Sequence, residues 1–173
     1  MPRGQIHLYT GDGKGKTTAA IGLAVRALGA HQRVAMVQFM KDGHSHEIEG
    51  LRCIGGACFD YFGVWDRSFI IHRPNPMQYR MAREVFDYFA GLIQSDVWDM
   101  IIADEVCVAI AMGLLSCEEL VTLLQTRNPT CEIILTGQGA PQELYAIADL
   151  ITTMQCTKHY YDQGIPAREG IEY

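Results

Sequence analysis

The residues predict an α/β fold, with a mainly parallel central sheet of about six strands and helices on both faces. Three observations carry this. Apolar, strand-forming runs recur at 5–10, 33–39, 57–62, 98–104, 131–136 and 149–155. Helical spacing occupies most of the intervals, as crossover connections between parallel strands require. The first strand run also enters a turn rich in glycine and lysine that leads straight into a helical pattern.

Taken in order, the opening run is Gln5-Ile6-His7-Leu8-Tyr9-Thr10, and the turn is Gly11-Asp12-Gly13-Lys14-Gly15-Lys16-Thr17-Thr18. From Ala19 to Leu28, Ile21, Ala24, Val25 and Leu28 fall on one helical face. A longer face over 77–93 carries Met77, Met81, Val85, Tyr88, Phe89 and Leu92, with Pro74-Asn75-Pro76 as its start signal. Ser116-Cys117-Glu118-Glu119 is a capping box ahead of Leu120, Leu123 and Leu124. Pro141 opens a short helix through Ala148.

The stretches 40–56 and 63–76 show no regular period and are expected as long connections. Both follow strands, so both should emerge at the sheet edge that bears the glycine turn. Phe62, Trp65, Phe69, Ile70 and Ile71 load the second stretch with apolar surface. Two readings stay open for it: a satellite core packed against the domain, or an apolar wall for a large, flat ligand. The segment 158–173 is polar-aromatic and aperiodic, a coil expected to dock through its aromatics.

Composition narrows the function. With 173 residues, 49% hydrophobic and 20% charged, residues 1–173 should form a single domain that buries roughly 70% of its unfolded surface. A net charge of −6 and a pI near 5.4 argue against nucleic-acid binding, so any basic site must be local. No apolar run reaches membrane-spanning length and no signal-peptide pattern opens the chain, so a cytoplasmic location is expected. The six cysteines form no C-x-x-C pair and read as reduced thiols rather than a zinc site. His44-Ser45-His46-Glu47 reads as a solvated loop.

The glycine turn carries the chemistry. Gly11, Gly13 and Gly15 lack a Cβ, so the backbone can take φ > 0 and aim its N–H groups at an anion. The following helix adds its positive end, Lys16 a full charge, and Thr17 a hydroxyl suited to Mg²⁺. Thr10 stands where the usual G-x-x-x-x-G-K-T pattern has its first glycine. Strand, loop and helix together make this a nucleotide-phosphate site and the fold P-loop NTPase-like. The run Asp99-Met100-Ile101-Ile102-Ala103 ends in Asp104 and Glu105. Acids at that strand end suit a metal contact beside the phosphates, although they would also suit the first turn of a helix.

Y-T-G-D-G-K-G-K-T-T-A-A, V-Q-F-M-K at 37–41, A-D-E at 103–105, L-T-G at 135–137 and the terminal K-H-Y-Y-D-Q-G-I-P-A-R-E-G-I-E-Y resemble the ATP:corrinoid adenosyltransferases of the CobA/CobO/BtuR type. The resemblance runs from about residue 4 to the C-terminus. It implies transfer of the 5′-deoxyadenosyl group of ATP to the cobalt of a cob(I) corrinoid, cobalamin or cobyrinic acid a,c-diamide, with tripolyphosphate leaving. By position, Gly11, Asp12, Gly13, Lys14, Gly15, Lys16, Thr17 and Thr18 would hold the triphosphate, and Lys14 and Lys16 would neutralise the leaving group. Thr17 and Glu105 would bind Mg²⁺, with Mn²⁺ as a substitute. Arg26 matches a family arginine that would face the nucleotide. Phe62 and Trp65 would be the aromatics that displace the lower axial ligand of the corrinoid. An electron-donating reductase and a homodimer are also implied.

Two departures stand out. Some members carry an N-terminal helix over the site, whereas the first strand here starts by Gln5, so that lid is expected to be absent or replaced. Many have arginine after L-T-G, where this chain has Gln138. The competing readings are a P-loop ATPase or small-molecule kinase and a nucleotide-sensing module. The kinase reading needs a charge finger, for which Arg52, Arg67, Arg73 and Arg127 are the candidates.

Overall fold

The computed structural model describes residues 3–42, 44–66 and 73–172. Six strands form one sheet: β1 (Ile6–Thr10), β2 (Val34–Gln38), β3 (Phe59–Gly63), β4 (Met100–Asp104), β5 (Glu132–Thr136) and β6 (Leu150–Thr153). Their order is β3-β2-β4-β5-β1-β6 and every pairing is parallel. Among the described residues the α-helices are α1 (Lys16–Gly29), α2 (His46–Gly55), α3 (Pro76–Gln94), α4 (Val106–Ala111), α5 (Cys117–Gln125) and α6 (Gln142–Ile147). No helix among the described residues is long and apolar enough to cross a membrane.

Strand alternation divides the core between the two faces. Leu8, Ala35, Val37, Ile101, Ala103, Ile133 and Leu135 point to the side covered by α3, α4, α5 and α6. Met36, Met100, Ile102 and Ile134 point to the other, where Ala20, Ala24 and Ala27 of α1 and Ile48 and Leu51 of α2 meet them. Burial on both faces explains why β2 and β4 read as continuous apolar runs rather than alternating ones.

The stretch 40–56 contains a helix that the sequence reading left out. Ser45 stands at its N-cap, Glu47 and Glu49 lie in its first turn, and Arg52 in its last. Only Ile48 and Leu51 are buried, one short apolar contact per turn, so a period of 3.6 never becomes visible in ten residues. Helix α4 was hidden for the opposite reason: Val106 to Ala111 is apolar throughout and continues the run of β4. Phe69, Ile70 and Ile71 lie outside the described residues.

Helix α3 starts where the proline pair indicated. Asn75 accepts from the backbone N–H groups of Met77 and Gln78, both at 2.9 Å, and the Gln78 side chain accepts from the Asn75 N–H at 2.8 Å. Substituting Asn75→Ala removes the acceptor for two otherwise unpaired N–H groups. The expected cost is ~1–2 kcal/mol, measured by urea unfolding with an unchanged m-value.

Candidate active site

The C-terminal ends of the strands carry a polar layer inside an otherwise apolar core. Thr10 of β1, Gln38 of β2, Asp104 of β4 and Thr136 of β5 are all buried. Register places them side by side: Gln38 pairs with Asp104, and Tyr9 with Thr136. Asp104 is the centre. Its Oδ1 accepts from Thr17 Oγ1 (2.8 Å) and Thr136 Oγ1 (2.6 Å), and its Oδ2 from Gln38 Nε2 (3.0 Å) and Lys41 Nζ (2.9 Å). A fully buried carboxylate requires this much pairing.

Glu105 turns the other way. It takes a left-handed backbone conformation (φ 61°), fixed by its N–H donating to Thr136 Oγ1 at 2.9 Å. This change of direction sends Asp104 inward and Glu105 into a cavity of ≈ 680 Å³ lined also by Lys14, Lys16, Thr17, Thr18 and Lys41. Burial pushes the Glu105 carboxyl above its ordinary value, the neighbouring Asp104 pushes it further, and Lys41 and Lys16 oppose both. Burial would lower the Lys41 ammonium, but the carboxylates of Asp104, Glu105 and Glu47 together outweigh that and the net shift is upward.

The glycine loop wraps the first turn of α1. Gly11 (φ 100°) and Gly15 (φ 122°) occupy conformations that favour glycine. Gly13 is pressed against the chain leaving β6: its N–H donates to the Met154 carbonyl at 2.8 Å, and an added Cβ would lie 2.7 Å from the Gln155 carbonyl carbon. Asp12 accepts from the Cys156 N–H at 3.0 Å, so its carboxylate fastens the loop instead of facing the cavity. Lys16 Nζ donates to the Gly11 and Gly13 carbonyls, each at 2.8 Å.

The C-terminal segment docks on this loop. Lys14 Nζ donates to Glu172 Oε1 (2.6 Å) and Tyr160 Oη (2.8 Å), and Glu172 also accepts from the Tyr160 hydroxyl and the Arg168 backbone N–H. The guanidinium of Arg168 lies 4.8 Å from the Tyr160 ring centroid. His46, at the start of α2, pairs with Glu169 at 3.0 Å. Among the described residues no three His, Cys, Asp or Glu side chains cluster as metal ligands. The cysteines are all free, and burial pushes the Cys107 and Cys131 thiols up to about 12.

The cavity therefore gathers Lys14, Gly15, Lys16, Thr17, Thr18 and Glu105. Arg26 sits ten residues beyond Lys16 in α1, about 15 Å along the axis, in the last helical turn. Phe62 stacks on Tyr88 with centroids 4.4 Å apart, as a satellite core would have it. Trp65 lines a smaller cavity with Met40, which shares Lys41, Glu47 and Glu172 with the larger one. Arg127 precedes β5 and lies at the opposite sheet edge, Arg52 covers the Tyr61 ring, Arg73 is exposed, and Arg67 lies outside the described residues. Lys41, Gln38 and the tail acid Glu172 were not singled out as site residues. Lys41 and Gln38 belong to the V-Q-F-M-K run, which was the available signal.

The donor set accommodates a divalent cation. The Glu105 carboxylate and the Thr17 hydroxyl line one cavity beside the phosphate loop, the oxygen donors such an ion takes, and the buried Asp104 behind Thr17 raises the cost of ionising Glu105.

Residues 2–173 match the family described as ATP:corrinoid adenosyltransferase BtuR/CobO/CobP. The chain is 33% identical to the corrinoid adenosyltransferase of Escherichia coli K12, over 99% of this chain and 86% of that one. It is 32% identical to the corrinoid adenosyltransferase CobA of Salmonella typhimurium over the same shares. Its fold is similar to that of the flagellar accessory protein FlaH from Methanocaldococcus jannaschii, with a TM-score of 0.58 at 15% identity, covering 88% of this chain and 72% of that one.

Because Glu105 is buried beside another acid, Glu105→Gln should stabilise the fold, by about 2–4 °C in Tm for each kcal/mol relieved. A raised native pKa means stability is lost as pH rises from the unfolded value of 4.5 through the folded one. The stabilisation should vanish below pH 4.5 and grow as pH rises through the folded value. Melting curves of both proteins across pH check this.

Proposed function

Because this chain belongs to the BtuR/CobO/CobP family of ATP:corrinoid adenosyltransferases, we propose that it transfers the 5′-deoxyadenosyl group of ATP to the cobalt of a cob(I) corrinoid and releases tripolyphosphate. The observation that carries the proposal is the pair of adjoining cavities. One is lined by phosphate-loop cations; the other has an apolar side at Trp65 and Met40, and Lys41, Glu47 and Glu172 border both. A triphosphate fits the first, and the edge of a flat corrinoid the second.

Cob(I) cobalt supplies the electron pair that forms the bond to C5′. The C5′–O bond breaks and its electron pair leaves on the triphosphate. The metal is the nucleophile, so the protein needs no covalent catalyst and no general base on the attacking atom. Its task is to align C5′ with the cobalt and receive the negative charge on the leaving oxygen. Lys16 and Lys14 serve the second need, with the N–H groups of Lys14 to Thr18 around the phosphates. Thr17 and Glu105 would hold Mg²⁺, with Asp104 fixing Thr17 from behind; the ion, or Mn²⁺, would share the charge of the leaving group. Asp12 holds the loop in shape, and Arg26 complements the C-terminal end of α1. The catalyst relies on an external reductase for cob(I), since cobalt must gain its electron before transfer. The exposed Leu150 and Ile151 of edge strand β6 support a homodimer.

Lys16→Ala should reduce turnover on the order of 100-fold or more with chemically reduced corrinoid, Mg²⁺ and ATP, followed by loss of the cob(I) absorbance. Phosphorus NMR should identify tripolyphosphate as the product. ADP with phosphate would instead establish the kinase or ATPase reading, and an unchanged ATP spectrum the sensor. Trp65→Ala should spare transfer to preformed cob(I) while lowering activity that starts from cob(II). An equal loss in both assays, with a lowered Tm, would make Trp65 a packing residue.

A further inference from the structure

The carboxylate of Glu172 lies in the phosphate-loop cavity and is treated there as an anion. Lys14 Nζ, the Tyr160 hydroxyl and the backbone and guanidinium N–H groups of Arg168 all donate to it. These donors hold the carboxyl well below its ordinary range. The same residues would serve a phosphoryl group equally well, since Arg and Lys pair with carboxylate and phosphate through the same donors. Lys14 belongs to the loop itself, and its ammonium faces Glu172 across a gap of 2.6 Å while Lys16 bonds loop carbonyls.

We propose that Glu172 is a built-in competitor of polyphosphate: it occupies Lys14 when the nucleotide site is empty, yields it to the triphosphate of ATP, and retakes it to expel tripolyphosphate. This rests on the phosphate-loop part of the functional reading and assigns a task to the tail. Two anions cannot share one lysine without repulsion, so binding of the phosphates and docking of Glu172 oppose each other. The tail would thereby weaken ATP binding somewhat, in exchange for faster product release. Since linkage is reciprocal, bound polyphosphate should loosen the tail. Glu172 acts through Lys14 and is a positioning residue.

Inorganic tripolyphosphate titrated calorimetrically into the full chain tests this without any transfer reaction. Four proteins are compared: wild type, Glu172→Gln, Lys14→Ala and the double variant, each checked for a cooperative melt, with Glu172→Ala in reserve should the glutamine form fail to fold. Glu172→Gln should tighten tripolyphosphate about fivefold, the upper range for a partly exposed ion pair. In the Lys14→Ala background the same change should have less than a twofold effect. Steady-state kinetics of Glu172→Gln should show KM for ATP and kcat falling together, a split that a merely structural role would not produce. Unchanged or weaker binding by Glu172→Gln, or equal tightening in both backgrounds, would overturn the proposal while leaving the phosphate loop intact. Failure of tripolyphosphate to bind any of the four would overturn the phosphate-loop reading along with it.

Discussion

A buried carboxylate governs this site. Asp104 has no access to water, yet it receives four hydrogen bonds, from β2, β5, α1 and the chain just after β2. An ionised group in an apolar core is tolerable only when its lone pairs are satisfied, so each donor position is fixed by the others. Thr17 is thereby set at the head of α1, Lys41 at the cavity wall, and Thr136 where it can hold the Glu105 N–H. The strands supply the rigid frame. Without Asp104, Lys41 would be a mostly buried charge with its nearest partner gone.

Rigidity of the loop comes from a second source. Close approach of Gly11 and Gly13 to the backbone at Met154 and Gln155 leaves no room for side chains, and Asp12 secures the same contact from its own carboxylate. The chain leaving edge strand β6 therefore shapes the phosphate loop. A loop that presents N–H groups to a polyanion must be preorganised, because reorganising it during the reaction would consume the stabilisation it offers.

Charge is balanced locally in a chain that is acidic overall. Lys41 is matched by Asp104, Lys14 by Glu172, and Lys16 by loop carbonyls. Two of the three cavity lysines are thus neutralised by carboxylates, while Lys16 keeps its charge and is held in place by neutral carbonyls. The local field of the cavity is therefore set by these neighbours and not by the net charge of −6.

The sequence by itself determined the α/β class, the parallel sheet and the phosphate loop, because each is written in local periodicity or in residue types confined to a few contiguous positions. The strand runs, the cap of α3 and the glycine turn all appeared where local chemistry placed them. Only the tertiary structure decided what depends on distant segments meeting. It gave Asp104 and Glu105 different directions, through a left-handed residue held by Thr136, where adjacency in sequence could not rank them. It assigned Phe62 to a stack with Tyr88 and left Trp65 on a cavity wall. It also joined Lys14 to Glu172 across 158 residues. No pattern in a single chain encodes that last contact, since ion pairs between remote segments leave no period and are fixed only when the fold brings the two ends together.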